Sequence, residues 1–306
     1  MKKITLFATT LLSLASLFAS PAIAQQKQSP IENYPTKDDS TVFFLSKEQA
    51  SLPAQHTSHF QSLGSSVPGY NQMVLKGIDI VQASAPKGGG YFVGIKAKPT
   101  ESPIGYDIKL FNKPLLKAPR TTSYCSGASY SAFIEGLNIY YAKLKNKKST
   151  FPKLSRARYE SFRMQEPDGS RRNDGIKMWG KWNDDGFGNH FALVQYTGMG
   201  KVINPDHARP GDFINISWKS GLGHSTVFLG YYIDPDLKAQ GKPHKFLRYW
   251  SSQRGTNGLG DQMVSLSKIK NVMVVRLTHP ERLFTFKVNK KVKRKIPGHP
   301  IKWAAE

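Results

Sequence analysis

The chain has 306 residues, a formal net charge of +23 and one cysteine. With hydrophobic residues at 39% and aromatics at 11%, the composition excludes a chain disordered throughout, and one cysteine excludes a disulfide-built scaffold. The charge directs the protein toward polyanions.

The N-terminus reads as an export signal. Lys2 and Lys3 precede a mostly apolar run from Ile4 to Phe18, too short for a comfortable membrane span, and Ala22-Ile23-Ala24 fits a small-x-small cleavage site before Gln25. Residues 1–24 are therefore expected to be removed, leaving a periplasmic or secreted chain of roughly 280 residues. No cysteine follows the apolar run to take a lipid, and no later segment is long and apolar enough to span a membrane. The polyanions met outside the cytoplasm are wall polymers, anionic lipid surfaces and acidic glycans, so nucleic acid is not an expected partner. A lone cysteine in an oxidising compartment has no internal partner; it is either a small buried filler or a reactive group.

Residues 25–70 are polar and interrupted by Pro30, Pro35, Pro53 and Pro68, which predicts a linker or arm with a short strand at Thr41–Leu45. Residues 71–115 read as short strands and turns, an N-terminal module with a turn at Lys87-Gly88-Gly89-Gly90 and strands at Tyr91–Ile95 and Tyr106–Phe111. The three glycines are no phosphate loop, because no Lys-Ser/Thr follows at the required spacing.

A catalytic-domain candidate spans 116–288. The run Thr121-Thr122-Ser123-Tyr124-Cys125 leads into Phe133, Leu137, Tyr140, Tyr141 and Leu144 at helical spacing. Ser123 or Thr122 is the expected N-cap, and Cys125 falls in the first turn, where unpaired N–H groups and the helix dipole favour a thiolate. Lys143–Lys148 suits a helix C-terminus, and residues 155–164 suggest a second short helix. Within an insertion at 150–205, residues 165–190 form a long Gly-, Asp- and Asn-rich loop holding Trp179, Trp182 and Phe187. Those rings either stack on a substrate's sugar rings and peptide planes or anchor the loop.

Pro210-Gly211-Asp212 is a turn signal whose Asp212 ties the turn down. Ile214, Ile216 and Trp218 alternate with Asn215 and Ser217 as in a half-buried strand, and His224 opens the next strand, Ser225–Ile233. Further strands are expected at Lys245–Ser251, Val272–Leu277 and Leu283–Val288. One helix carrying Cys125 on an antiparallel sheet carrying His224 gives an α+β domain. The 289–306 tail is basic, either an anionic-surface tether or a solvated end.

Thiol chemistry needs a nucleophile, a base within reach and a group orienting that base. His224 stands beside glycines that would leave it room and exposure. His56, His59, His190, His207, His244, His279 and His299 are placed in loops or tails, with His190 the alternative base. Gln253 is the expected orienting residue and Ser252 the alternative. The N–H of Cys125 is a natural oxyanion donor, and Tyr124 either adds a side-chain contact or packs. With no His-x-x-x-His, no second cysteine and no calcium-loop pattern, neither a metal nor another cofactor is expected.

The series Pro210-Gly211-Asp212, apolar strand, Gly223-His224-Ser225, apolar strand ending Phe228-Leu229-Gly230, downstream of a helix-opening cysteine, resembles the NlpC/P60 and CHAP families of the papain-like superfamily. The likeness covers residues 115–280. It implies a papain-like domain, amide-bond cleavage in peptidoglycan stem peptides and a Cys125–His224–polar triad. Cys125 and His224 stand farther apart than in compact members of these families, the excess being residues 150–205.

Overall fold

A computed structural model describes residues 41–67, 69–93, 102, 104–118, 121–146, 152–163, 178–292 and 295–305. The export signal, its cleavage site and the arm up to residue 40 lie outside them, as do Gly94 and Ile95 of the strand expected after the glycine turn, residue 164 of the expected second helix, residues 165–177 of the long loop, and Lys293 and Arg294 of the tail.

The region after residue 40 is helical where an arm was expected. Helix α1 (Lys47–Ala50) is closed by a capping box between Ser46 and Gln49, and α2 (His59–Leu63) follows. The expected Thr41–Leu45 strand is reduced to a single parallel bridge from Phe44 to Tyr231. Helix α3 (Gly69–Ala83) replaces the strands and turns expected from residue 71. Its Val and Ile residues and Gly77 weaken intrinsic helix propensity. Asn71, Val74, Leu75, Ile78, Val81 and Gln82 nevertheless fall on one buried face, so packing decides the outcome. Gly77 lets α3 approach its neighbour closely: a Cβ there would lie 2.4 Å from the Ala132 carbonyl oxygen.

A small hairpin of β1 (Ile108–Leu110) and β2 (Lys113–Leu116) precedes the 21-residue helix α4 (Cys125–Lys145). Helix α5 (Arg156–Ser161) is capped by Ser155. Residues 178–188 are turns and bends, as expected of the long loop, although Met178, Trp179, Gly186 and Gly188 are buried. A π-helical turn, Phe191–Tyr196, and strand β3 (Gly200–Ile203) follow. Next come β4 (Phe213–Trp218), β5 (Gly223–Ile233), α6 (Pro235–Ala239), β6 (Lys245–Gln253), β7 (Gly258–Ser265) and β8 (Ile269–Leu277). The protein is thus α+β. β3 to β8 form one antiparallel sheet in the order β3-β8-β4-β5-β6-β7.

Both faces of this sheet are covered. Phe213, Val227, Leu229, Trp250, Met273 and Val275 join the core that contains the apolar residues of α3 and α4. Ile214, Ile216, Phe228, Tyr231, Leu247 and Tyr249 form a second core with Val42, Phe43 and Trp303. Strand β4 is therefore buried nearly throughout rather than half-buried, and its polar positions must find partners. Asn215 accepts from the Asn189 amide at 3.0 Å and donates to the carbonyls of Asn183 and Phe187. Strand β7 begins Gly258-Leu259-Gly260 and escapes a reading based on β-propensity. Conversely, the run expected as a strand from Leu283 starts within a 3-10 turn, Pro280–Phe284, where Pro280 lacks the N–H a ladder needs. Asp212 does tie its turn down. It accepts from the Arg209 N–H at 2.8 Å, from Asn71 at 2.8 Å and from both Nε and Nη2 of Arg276 at 2.8 Å.

Candidate active site

The β5–β6 ladder stops at Val227↔Trp250, although β4 follows β5 back to Gly223 and β7 follows β6 to Gln253. The two strands part beyond that pair, and the start of α4 stands over the opening. Tyr124, not Ser123 or Thr122, occupies the N-cap, and its side chain makes no capping bond. The Ser123 hydroxyl is committed elsewhere, donating to Ser252 Oγ at 2.7 Å. One turn along α4, Ser129 Oγ meets Ser225 Oγ at 2.9 Å and accepts from Trp179 Nε1 at 3.0 Å. These hydroxyl contacts hold the Cys125 end of α4 against β5 and β6.

Cys125 is a half-buried free cysteine. Enclosure of its sulfur pushes the thiol above its usual range, while the backbone N–H groups of Ser225, Ser126 and Cys125 itself oppose that rise by hydrogen bonding to the sulfur. The Ser225 contact places the thiol one residue from His224. His224 is buried at 8% exposure, contrary to the open hairpin position expected for it, because the adjoining glycine is covered. A Cβ on Gly223 would lie 2.7 Å from Trp182 Cδ1 and 2.0 Å from Asn183 Oδ1. The His224 ring also stands edge-on to Tyr249, with centroids 5.4 Å apart.

His224 Nε2 lies 3.2 Å from Gln253 Oε1. The surrounding contacts fix the tautomer. Gln253 Nε2 donates to the Gly260 carbonyl at 3.0 Å and to Thr256 Oγ1 at 2.6 Å, and a carbonyl can only accept. Oε1 must therefore face His224, so His224 carries its proton on Nε2 and leaves Nδ1 as a lone pair. Burial lowers the His224 pKa to about 4, against the opposing effect of its hydrogen bond to Gln253 Oε1. The resting groups at neutral pH are thus a thiol and a neutral imidazole, where the helix-start argument anticipated a thiolate. Desolvation outweighs the dipole here. Alkylation of Cys125 by iodoacetamide should accordingly accelerate through and beyond the ordinary thiol range near pH ~8.5. A rate already on its plateau near pH ~6 would overturn this charge assignment.

The other expected residues divide. Ser252 faces Ser123 and not His224, as strand alternation requires once Gln253 faces the histidine. Trp182 is half-buried beside the start of β5. Trp179 is fully buried, stacked on Phe133 at 4.8 Å and edge-on to Phe213 at 4.9 Å. It is a core residue with a satisfied indole N–H, not a substrate platform. Tyr124 is likewise buried, its ring edge-on to Phe92 at 5.1 Å. His190 lies against the Gly186 carbonyl at 3.3 Å and Gln195 Nε2 at 3.2 Å.

Nothing in the pattern of residues announced a second buried polar cluster. His59, placed in a loop by the sequence reading, opens α2 and is fully buried. Its Nδ1 meets Asp79 at 2.7 Å and its Nε2 meets Asp261 at 2.8 Å. His56 Nε2 and Arg248 Nη2 reach the other Asp261 oxygen at 3.0 and 2.7 Å. Ligand atoms of His56, His59 and Asp261 lie within 4.8 Å of one another, as a metal site would need. A divalent ion there would meet the Arg248 guanidinium already bound to the same carboxylate, and protons shared among these groups account for the spacing. The arrangement fits an ion-pair network better than a metal centre.

No helix among the described residues is long and apolar enough to cross a membrane. No family model, no curated protein and no solved structure matches this chain.

Proposed function

We propose that the protein is an exported cysteine hydrolase that cleaves an amide bond, with peptidoglycan stem peptides as the substrate. The observation that carries this reading is the His224–Gln253 pair, locked in one tautomer, beside a helix-opening cysteine whose sulfur accepts the Ser225 N–H. Its likeness in order and motif to NlpC/P60-type, papain-like hydrolases supplies the reaction class, and the export signal and positive charge supply the setting.

Cys125 would attack the carbonyl carbon as its proton passes to His224 Nδ1, the only ring nitrogen free to accept. Because the resting pair is neutral, proton transfer accompanies attack rather than preceding it. The tetrahedral oxyanion would be met by the Cys125 N–H. His224 would then protonate the leaving amine, and water would hydrolyse the thioester. Gln253 holds the imidazole in the required tautomer throughout. Trp182, packed beside Gly223 at the start of β5, would touch the acyl or leaving part of the substrate.

The mature chain should release new amino groups from purified peptidoglycan. Absence of any release, with iodoacetamide-insensitive behaviour, would reject the hydrolase reading. The enclosure of Cys125 and His224, each neutral at rest, favours one competing reading, a wall-binding protein of the same fold that has no turnover. Retention on the polymer without amine release would select it. An acyl or amide transferase would use the same two groups and would consume an added amine acceptor.

A further inference from the structure

A cavity of about 690 Å³ opens on the protein surface, and Cys125, His224 and Gln253 do not line it. Its cationic lining comes from distant parts of the chain: Lys219 after β4, Lys242 and Lys245 before and at the start of β6, and Lys270 in β8. Among the described residues no aspartate or glutamate lines it, and none pairs with these four lysines within salt-bridge distance. Lys245 donates to the Ala304 carbonyl at 3.1 Å and Lys242 to Gln240 Oε1 at 2.8 Å. Lys219, Lys242 and Lys270 are exposed. Gathering like charges around a concave surface is unfavourable unless an anion completes it.

The floor is apolar. Leu266, Ile269 and Ile301 belong to the sheet's second core and line the cavity together with Pro243, Pro300 and Ala304. Ser265 and Ser267 add hydroxyls, 2.8 Å apart. Among the described residues no arginine lines the cavity, so recognition falls to lysine point charges rather than to a planar fork that grips a carboxylate or a phosphate on two oxygens. Several lysine point charges with hydroxyl donors suit the more highly charged, tetrahedral phosphate.

We infer that this cavity binds a phosphate-bearing ligand whose phosphate sits among Lys219, Lys242 and Lys270 and whose apolar flank rests on Leu266, Ile269 and Ile301. The site is independent of the hydrolase reading. The same chemistry is offered by a phospholipid headgroup with its first acyl carbons and by a soluble phosphate ester, and the two are separable.

The full mature chain is titrated calorimetrically with inorganic phosphate and with a monomeric short-chain phosphatidylglycerol. The comparison is between a triple variant of the pocket, Lys219→Gln with Lys242→Gln and Lys270→Gln, and a control of equal charge loss at exposed lysines elsewhere, Lys47→Gln with Lys109→Gln and Lys113→Gln. The expected result is saturable binding that weakens with salt, falls about tenfold or more in the pocket variant and is unchanged in the control. Much tighter binding of the short-chain lipid than of phosphate assigns the headgroup, and comparable binding assigns a soluble ester. Absence of saturable binding for either probe, or an equal loss in the control variant, overturns the site and leaves only diffuse attraction to a chain of net charge +23.

Discussion

Amide hydrolysis should disappear in Cys125→Ala and fall by at least about a thousandfold in His224→Ala, with both variants still folded. The first removes the attacking atom. The second removes the acceptor of its proton, and the cost is large because the thiol's own pKa is raised by enclosure, so little thiolate exists without the imidazole at neutral pH. Groups acting as one unit do not add, so the double variant should be no slower than Cys125→Ala alone. Gln253→Ala should cost less than His224→Ala, because the imidazole remains but its tautomer is no longer imposed. Activity should also fall as acid protonates His224 near its lowered value of about 4. Rates of amine release across pH, read beside unfolding curves, provide the measurement. Wild-type turnover in Cys125→Ala would sink the mechanism.

Asp261→Asn is expected to cost about 3–5 kcal/mol of folding stability, the usual consequence of removing one partner from a buried ion pair. Asp261 is buried at 5% exposure and answers two cations. Arg248 donates through Nε at 2.9 Å and Nη2 at 2.7 Å, and His59 through Nε2 at 2.8 Å. Asp79 takes the other His59 nitrogen. Two carboxylates can only accept, so His59 must donate from both nitrogens and is an imidazolium. Burial opposes that charge, but Asp261 and then Asp79 override it and raise the His59 pKa to about 9. Burial would raise the Asp261 carboxyl, yet His59, His56 and Arg248 hold it far below the usual carboxylate range.

The pH dependence follows from those directions. His59 binds its proton more tightly folded than unfolded, so its contribution is complete below the ordinary histidine value of 6.5 and is lost as pH rises through about 9. Asp261 contributes above the ordinary carboxylate range and loses its effect as pH falls through its depressed folded value. Urea midpoints should therefore decline between neutrality and alkaline pH in the wild type and stay flatter in His59→Gln. An Asp261→Asn midpoint equal to wild type would show that the network adds nothing. The network also bears on the site. It ties residues 49–59 to β6 and β7, and β7 supplies the Gly260 carbonyl that orients Gln253.

Much of the site was legible in the residues. Helical spacing after Cys125, strand alternation around His224 and the position of Gln253 two residues beyond Ser251 all depend on local periodicity, which the chain encodes directly. The α+β class followed from the same signals. Helix α3 was not legible, because Gly77 and its β-branched residues are poor local helix formers and only the close approach to Ala132 on α4 explains them. Strand β7 was hidden for a similar reason, since its glycines serve close backbone approach rather than propensity.

What the linear chain determined by itself is which residues have period and which have chemistry: a helix that begins at Cys125, strands that present His224 and Gln253, and a strongly cationic composition. Only the tertiary structure decided their environment. It enclosed the Cys125 sulfur and the His224 ring, so desolvation rather than the helix dipole sets their charge. It sent Trp179 into the core and left Trp182 beside the strand opening. It joined His59, Asp79, Arg248 and Asp261, from separate parts of the sequence, into one buried network, and it gathered four lysines from three segments around one cavity. Burial and charge proximity are properties of residues distant along the chain, and no local pattern carries them.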